Sequence, residues 1–123
     1  MKIKTILTTN ALFSLTSGTL MLIAGDSFME LFPGSLTALP HILGIGLLGF
    51  AAFLMISQRK DGPSATRLFL IILMDWSWVA GSALLLILMP DFYSASGALW
   101  IIGCAIIVAL LALLQGRAYS ALI

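Results

Sequence analysis

This sequence has few charged residues. Only 9% of its 123 residues are Asp, Glu, Lys or Arg, whereas 61% are hydrophobic, and the mean hydropathy is +1.14. A water-soluble domain of this length needs more charges to cover its surface. The charge-free runs approach or exceed the roughly 18 to 20 residues that cross the hydrocarbon core of a bilayer. The composition therefore predicts an integral membrane protein.

Cysteine, histidine and basic residues are also scarce. Cys104 is the single cysteine, which excludes an intrachain disulfide and a cysteine-based metal cluster. His41 is the single histidine, which excludes bis-histidine haem ligation and a histidine-rich zinc site within one chain. A formal net charge of +1 lacks the concentrated basic surface that nucleic acids require. We expect no metal, no cofactor and no nucleic-acid partner.

Four apolar segments are long enough, or nearly so, to span a bilayer. Polar and turn-forming residues separate them, most clearly Asp61, Gly62 and Pro63. Because consecutive spanning helices must reverse direction, we predict one all-α domain, an antiparallel up-down four-helix transmembrane bundle. The predicted helices cover approximately residues 5–24, 40–57, 67–89 and 96–115.

The first apolar segment has some features of a secretory signal peptide, because two lysines precede it. Leu22 is a poor match to the small residue expected before a cleavage site, and Asn10 interrupts the run. We therefore expect this segment to remain as a spanning helix. In the connection that follows, Ser27 and Glu30 have the spacing of a capping box, which predicts a short interfacial helical turn.

The basic residues predict the orientation of the bundle. All six lie on one side, whereas Asp26, Glu30 and Asp91 lie on the other. Because lysine and arginine stay cytoplasmic, both termini are expected in the cytoplasm, and dual-topology insertion is disfavoured. This pattern fits a bacterial inner membrane, with an organellar membrane as the alternative. The basic residues are Lys2, Lys4, Arg59, Lys60, Arg67 and Arg117.

Asp75 is the ionisable residue that most needs an explanation. It lies well inside the third predicted helix, roughly 12 Å below the cytoplasmic edge at 1.5 Å per residue. An acid at this depth costs about 2.5 to 3.5 kcal/mol, so it is expected to face the bundle interior and to have a partner. Trp78 and Ser82 lie on the same helical face.

The first predicted helix carries a matching polar stripe at similar depth, formed by Asn10, Ser14 and Ser17. Lipid offers neither stripe a hydrogen bond, so the two are expected to meet. We predict that Asn10 hydrogen-bonds Asp75, directly or through water, with Gln115 near the same region or simply solvated. Such a contact also has a purely structural interpretation, in which it only fixes helix register.

Small residues form further stripes. Gly44, Gly46 and Gly49 match GxGxxG, but they lie inside an apolar helix that follows no strand, so we interpret them as helix-packing residues. The other small residues, which suit internal packing or oligomerisation, are Ser77, Gly81, Ala105, Ala109 and Ala112.

Trp76 and Trp78 lie near the midplane and are expected to pack inside the bundle or line a cavity.

Asn10, the run of residues 75–82, and Gln115 give the chain a resemblance to small four-helix membrane proteins of bacteria, a group without an assigned activity. The resemblance covers the whole chain and implies a fold rather than a function. The chain is also similar in size and helix number to the small multidrug resistance transporters. Those transporters carry their essential membrane glutamate in the first helix, where this sequence has Asn10.

Three functions remain open. The first is a transporter or an ion or proton pathway centred on Asp75, the second a non-catalytic structural or accessory subunit, and the third a binder of a lipid or quinone-like ligand. The sequence has no HExxH, P-loop or paired carboxylates, so we do not expect an enzyme. The expected partners are membrane lipids and either a second copy of the chain or another membrane protein.

Overall fold

The fold consists of helices throughout the part that a computed structural model describes, residues 2–34, 38–58 and 63–122. Four of the helices are long and apolar enough to cross a membrane, and the remaining helix, α2, is short. The predicted helical bundle is therefore confirmed. The five helices are α1 (Ile3–Ile23), α2 (Gly25–Leu31), α3 (Leu39–Ile56), α4 (Ala65–Leu88) and α5 (Ala95–Leu122).

The long helices lie close to the predicted ranges, except that α5 continues past Gln115 to Leu122. The predicted end of this helix marked the border of the apolar segment, and helical structure does not have to stop at that border. Ala118 and Tyr119 in the extension pack against buried residues of the other helices. The Tyr119 ring lies 6.0 Å from that of Phe69 in α4.

Helix α2 follows α1 after a single intervening residue. The Ala24 N–H donates to the Leu20 carbonyl at the end of α1, and the Ala24 carbonyl accepts from Phe28 in α2. The predicted short helix is present, but the prediction that Ser27 and Glu30 form a capping box is wrong. Because α2 begins at Gly25 and has no side-chain cap, Ser27 lies inside the helix rather than at its N-cap.

The start of α1 lies beside the end of α3, where Thr8 Oγ1 donates to Gln58 Oε1 over 3.0 Å. We call this side of the molecule the basic end, since Lys2, Lys4, Arg67 and Arg117 belong to it. The predicted turn at Asp61 and Gly62, with Arg59 and Lys60, lies outside the described residues. Side chains from three helices form the core of the basic end, namely Leu7, Ala11, Leu54, Leu68 and Ile71.

The opposite side, the acidic end, carries Asp26, Glu30 and Asp91 on its surface. An aromatic cluster closes it from within. The rings of Phe28 and Phe32 are 4.7 Å apart, and those of Phe32 and Phe92 are 5.8 Å apart. These contacts join α2 to the segment before α5. Backbone bonds strengthen the connection, because Gly34 N–H donates to Phe92 and Ser94 N–H donates to Leu31.

The long helices form two hairpins. Helices α1 and α3 pack closely as the first hairpin, and α4 and α5 as the second. The hairpins meet chiefly through α1 and α5, whereas the described parts of α3 and α4 make no comparable contact. Gly18 and Gly44 allow the close approach within the first hairpin, since a Cβ on Gly18 would lie 2.8 Å from the Gly44 carbonyl oxygen.

Candidate functional site

Three polar side chains from three helices meet at one point in the bundle. Asn10 of α1, Asp75 of α4 and Gln115 of α5 have exposed fractions of 1%, 4% and 0%. Asn10 Nδ2 donates to Asp75 Oδ2 over 2.8 Å and to Gln115 Oε1 over 2.9 Å. Gln115 Nε2 donates to Asp75 Oδ2 over 2.7 Å. We call this closed hydrogen-bond network the polar triad.

The polar triad includes the bond predicted from the sequence, since Asn10 contacts Asp75 directly. Gln115, for which a solvated position was an alternative, is instead fully buried and contacts both partners. In an apolar environment an unpaired polar group costs several kcal/mol, so three such groups at one depth stabilise one another. The network fixes how α1, α4 and α5 are placed relative to one another.

The sequence around each member of the triad explains its position. Leu68, Ile71 and Asp75 are the buried residues of α4, and their spacing places them on one narrow face. On α1 the buried residues toward the basic end are apolar, namely Ile6 and Leu7, and those that follow include Asn10 and Ser14. The triad therefore lies next to the apolar core of the basic end, on the side of that core that faces the acidic end.

A cleft of about 630 Å³ extends from the triad toward the acidic end. Residues of all five helices line it, and its walls are mostly apolar. The polar triad bounds one end, through Asn10 and Asp75, and the aromatic cluster bounds the other. The amide, hydroxyl and carboxyl side chains in its walls are Asn10, Ser14, Ser17, Asp75, Ser77 and Ser82, and the walls also include the indole groups of Trp78 and Trp100 and the thiol of Cys104.

The cleft is open on the side where α3 and α4 lack contact. Gly46 and Ile42 of α3 line it and are exposed, as are Ser77 and Gly81 of α4. Nothing lies within 4 Å of a Cβ added to Gly46 or Gly81. Exposed apolar side chains, among them Ile42 and Met74, lie at this opening.

Several polar atoms in the cleft wall have no hydrogen-bond partner among the described residues. The Ser14 side chain is only 2% exposed, and its hydroxyl makes no hydrogen bond there. Both bonds to Asp75 end on Oδ2, which leaves its Oδ1 without one, and Asn10 Oδ1 is also without one. None of these oxygens is fully enclosed by protein atoms. They are available to a group inside the cleft.

The two tryptophans that the sequence predicts near the midplane differ in position. Trp78 is half-buried and lines the cleft, one of the two positions expected for it. Trp76 is 39% exposed on the outer surface, so the expectation that it lies inside the bundle is wrong. One residue along a helix is a rotation of about 100°, and the buried face of α4 is too narrow to include the neighbour of Asp75.

The remaining site candidates are distributed over several surfaces. Ser17 and Ser82 line the cleft, and Ser82 Oγ donates to the Trp78 carbonyl within α4. Ser77 is exposed and donates to the carbonyl of Leu73 in the same way. On α5 one predicted packing residue, Ala112, is buried. The half-buried ones are Ala105 and Ala109.

The glycines predicted to pack have different surroundings. Gly44 lies against α1, where a Cβ would be 2.9 Å from the Gly18 carbonyl oxygen. A Cβ at Gly46, Gly49 or Gly81 would meet none of the described residues within 4 Å, so these three glycines are not in a close contact with another described helix. Sequence reasoning missed Gly18, although its spacing of four from Ser14 is the usual signal for a small-residue helix contact.

Sequence reasoning also missed the aromatic residues that close the cleft at the acidic end, Phe28, Phe32 and Phe92. Their spacing shows no periodic pattern that distinguishes them from aromatic residues that lie at a membrane interface.

No group of three or more metal-ligating side chains occurs among the described residues. Comparison with protein-family models, curated proteins and solved structures finds no match to this chain.

Proposed function

We propose that this chain is a multi-pass membrane protein that binds a lipophilic molecule in the cleft between its two hairpins, with the polar end of that molecule at Asp75. The arrangement behind this proposal is an antiparallel bundle of four spanning helices. It is supported by four sufficiently apolar helices and by the contact of the start of α1 with the end of α3.

The orientation proposed here has the basic end in the cytoplasm, as in a bacterial inner membrane, because lysine and arginine are retained there. Cysteine labelling tests this orientation in a Cys104→Ser background. A membrane-impermeant thiol reagent is expected to label Ser96→Cys, next to the acidic end, in intact cells. Labelling of Ser120→Cys, at the basic end, under the same conditions would refute it.

The observation that carries the proposed function is the continuity between a buried carboxyl group and an opening toward lipid. Ligand pockets are typically about 300 to 1,000 Å³, mostly apolar, with a few converging polar groups. The cleft has a volume of about 630 Å³, apolar and aromatic walls, and Asp75 at its closed end. A register-setting hydrogen bond alone requires the triad but does not require a cleft beside it.

The same geometry favours a binder or a carrier over a water-filled ion path. Between the triad and the basic end lie Leu7, Leu54 and Leu68, each with 0% exposure. An ion or proton path needs polar or hydrated lining, and this layer offers neither. The transporter hypothesis therefore takes the form of a carrier, in which the bound molecule leaves toward the basic end only after this layer opens.

Native mass spectrometry of protein extracted from its producing membrane tests the proposed function. Gly46→Leu places a side chain in the cleft, at a position where the backbone has room for it. Gly49→Leu is the matched control, because Gly49 has the same clearance on the same helix but does not line the cleft. Wild-type protein and Gly49→Leu are expected to retain one lipophilic molecule per chain, and Gly46→Leu is expected to lose it.

Equal retention by the two variants would place the molecule outside the cleft and contradict the proposal. If no molecule is retained but another membrane protein co-purifies with both variants, the accessory-subunit hypothesis replaces it. A second copy of the chain as the bound partner would appear in the same spectra as a dimer mass.

A further inference from the structure

We propose that the ligand of the cleft is a cationic amphiphile, a molecule with an N–H-bearing ammonium group that binds at Asp75 and an apolar chain that extends to the aromatic cluster. This inference rests on the proposed function and specifies its ligand. It follows from which hydrogen-bonding atoms of the triad are already used and which are free.

The N–H groups of the triad are largely used within it. Asn10 Nδ2 has two hydrogens, and it donates to Asp75 and to Gln115. Gln115 Nε2 donates to Asp75, and Gln115 does not line the cleft. A ligand that enters the cleft therefore finds no free amide N–H on the wall that the triad forms.

The free atoms of that wall can all accept a hydrogen bond. Asp75 Oδ1 and Asn10 Oδ1 make no hydrogen bond with the described residues, and the hydroxyl of the buried Ser14 also has no partner there. A hydroxyl accepts as well as donates. A cluster of two carbonyl-type oxygens and one hydroxyl matches a group with several N–H donors, such as a primary ammonium.

The balance of charge favours the same class of ligand. No Lys, Arg or His occurs among the described residues that line the cleft. An ionised carboxyl group inside a membrane needs a cation nearby, and the protein wall supplies none. An ammonium group on the ligand provides this charge, and the resulting pair is neutral overall.

The apolar part of the cleft sets the size of the ligand. On α4 the lining residues extend from Asp75 to Leu85, which is about 15 Å at a rise of 1.5 Å per residue. Phe28, Phe32 and Phe92 lie at the far end. A single alkyl chain of about this length fits between them, and the opening between α3 and α4 admits it sideways from the bilayer.

The test compares four probes with similar alkyl chains on protein in zwitterionic nanodiscs at neutral pH, with empty nanodiscs as the control for partitioning. The probes are dodecylammonium, dodecanol, dodecanoate and an alkyl benzoquinone. Charge-assisted hydrogen bonds contribute about 1.5 to 3 kcal/mol, so dodecylammonium is expected to bind at least about tenfold more tightly than dodecanol. Dodecanoate and the quinone, which offer acceptors only, are expected to bind more weakly than dodecanol.

Two variants assign the preference to the proposed atoms. Asp75→Asn is expected to abolish the preference for dodecylammonium while dodecanol still binds, which shows that the cleft is intact. Ser14→Ala removes one free oxygen from a small side chain and is expected to weaken dodecylammonium binding severalfold, with less effect on dodecanol. If Asp75→Asn fails to fold, Ser14→Ala alone decides the assignment.

The outcomes separate this inference from the function on which it rests. Equal binding of dodecylammonium and dodecanol, or a preference for the quinone or the acid, would overturn the ligand class and leave an amphiphile-binding cleft. Binding of none of the four probes above the empty-nanodisc level would contradict both the ligand class and the proposed function.

Discussion

Asp75 is held by amide groups rather than by a basic residue, and this choice of partner determines what the site can do. An Asp paired with Lys or Arg inside the bundle would have its charge compensated by the protein. Asn10 and Gln115 satisfy one carboxyl oxygen without adding charge, and they leave the other oxygen of this cleft-lining residue without a hydrogen bond among the described residues. A neutral hydrogen-bond network therefore positions the acid and still leaves it available to a ligand.

Removing one member of the triad is expected to destabilise the protein because its partners lose their hydrogen bonds. Gln115→Leu leaves Asn10 with one N–H unpaired and Asp75 with one bond fewer, at a cost of about 1 to 3 kcal/mol. Reversible unfolding in detergent or lipid measures this cost. Thr16→Leu, on the exposed face of α1, is the control and is expected to change stability by less than about 0.5 kcal/mol.

The double variant with Asn10→Leu tests whether the three side chains act as a unit. Once Gln115 is removed, Asn10 has one partner left, so the second substitution is expected to cost less than it does alone. Strict additivity of the two effects would mean that Asn10 and Gln115 stabilise the protein independently, contrary to the geometry.

At the scale of single residues, much of the site could be predicted from the sequence. Asn10 and Asp75 lie at similar depth, and lipid offers no other partner to either, so their contact was predictable. The free hydroxyl of Ser14 was not predictable, because a helical serine has the alternative of bonding to the carbonyl four residues earlier, as Ser82 does. The two cases differ only in the folded structure.

At the scale of the helices, the cleft results from an unequal distribution of close contacts. Gly18 and Gly44 allow α1 and α3 to approach closely, whereas a Cβ added to Gly46 of α3 or Gly81 of α4 would meet no described residue within 4 Å. The first hairpin is thus fixed by backbone proximity, whereas beyond the shared core of the basic end α4 stands away from α3. The opening therefore lies between α3 and α4, where the glycines are not in a close helix contact.

A single added methyl group tests this account of the first hairpin. In Gly18→Ala the new Cβ would lie 2.8 Å from the Gly44 carbonyl oxygen, so α1 and α3 must move apart. Overpacking of this kind costs about 1 to 3 kcal/mol. Gly49→Ala, where the added Cβ meets nothing within 4 Å, is expected to cause no loss. Unfolding midpoints of the two variants measure the difference, and a stable Gly18→Ala protein would contradict the assigned contact.

The sequence predicted the long helices well but not which of their faces meet. In water, apolar residues mark the interior, whereas in lipid the outer surface is as apolar as the core. Trp76 shows the consequence, because its depth predicts burial although the side chain faces outward. The same lack of contrast concealed the gap between α3 and α4. The residues that indicated which helix faces meet were the polar residues and the small residues.

At the scale of the whole molecule, the two ends differ in a way that gives the cleft a direction. The basic end is filled by apolar side chains, and the half of the bundle toward the acidic end contains the cleft. When a molecule enters between α3 and α4, the part of it that lies nearest the basic end therefore contacts Asp75. Short α2 and the residue that follows it contribute Phe28 and Phe32 to the cover at the acidic end.

Photo-crosslinking with a dodecylamine that carries a diazirine on its terminal carbon tests the central claim most directly. With its ammonium group at Asp75, the chain end is expected to label Phe28, Phe32 or Phe92, and excess unlabelled dodecylamine is expected to suppress this labelling. Gly46→Leu should lose the labelling, and Gly49→Leu should keep it. Labelling that falls instead on outward-facing residues such as Leu110 and Leu113, and that the competitor does not reduce, would contradict an amphiphile-binding cleft.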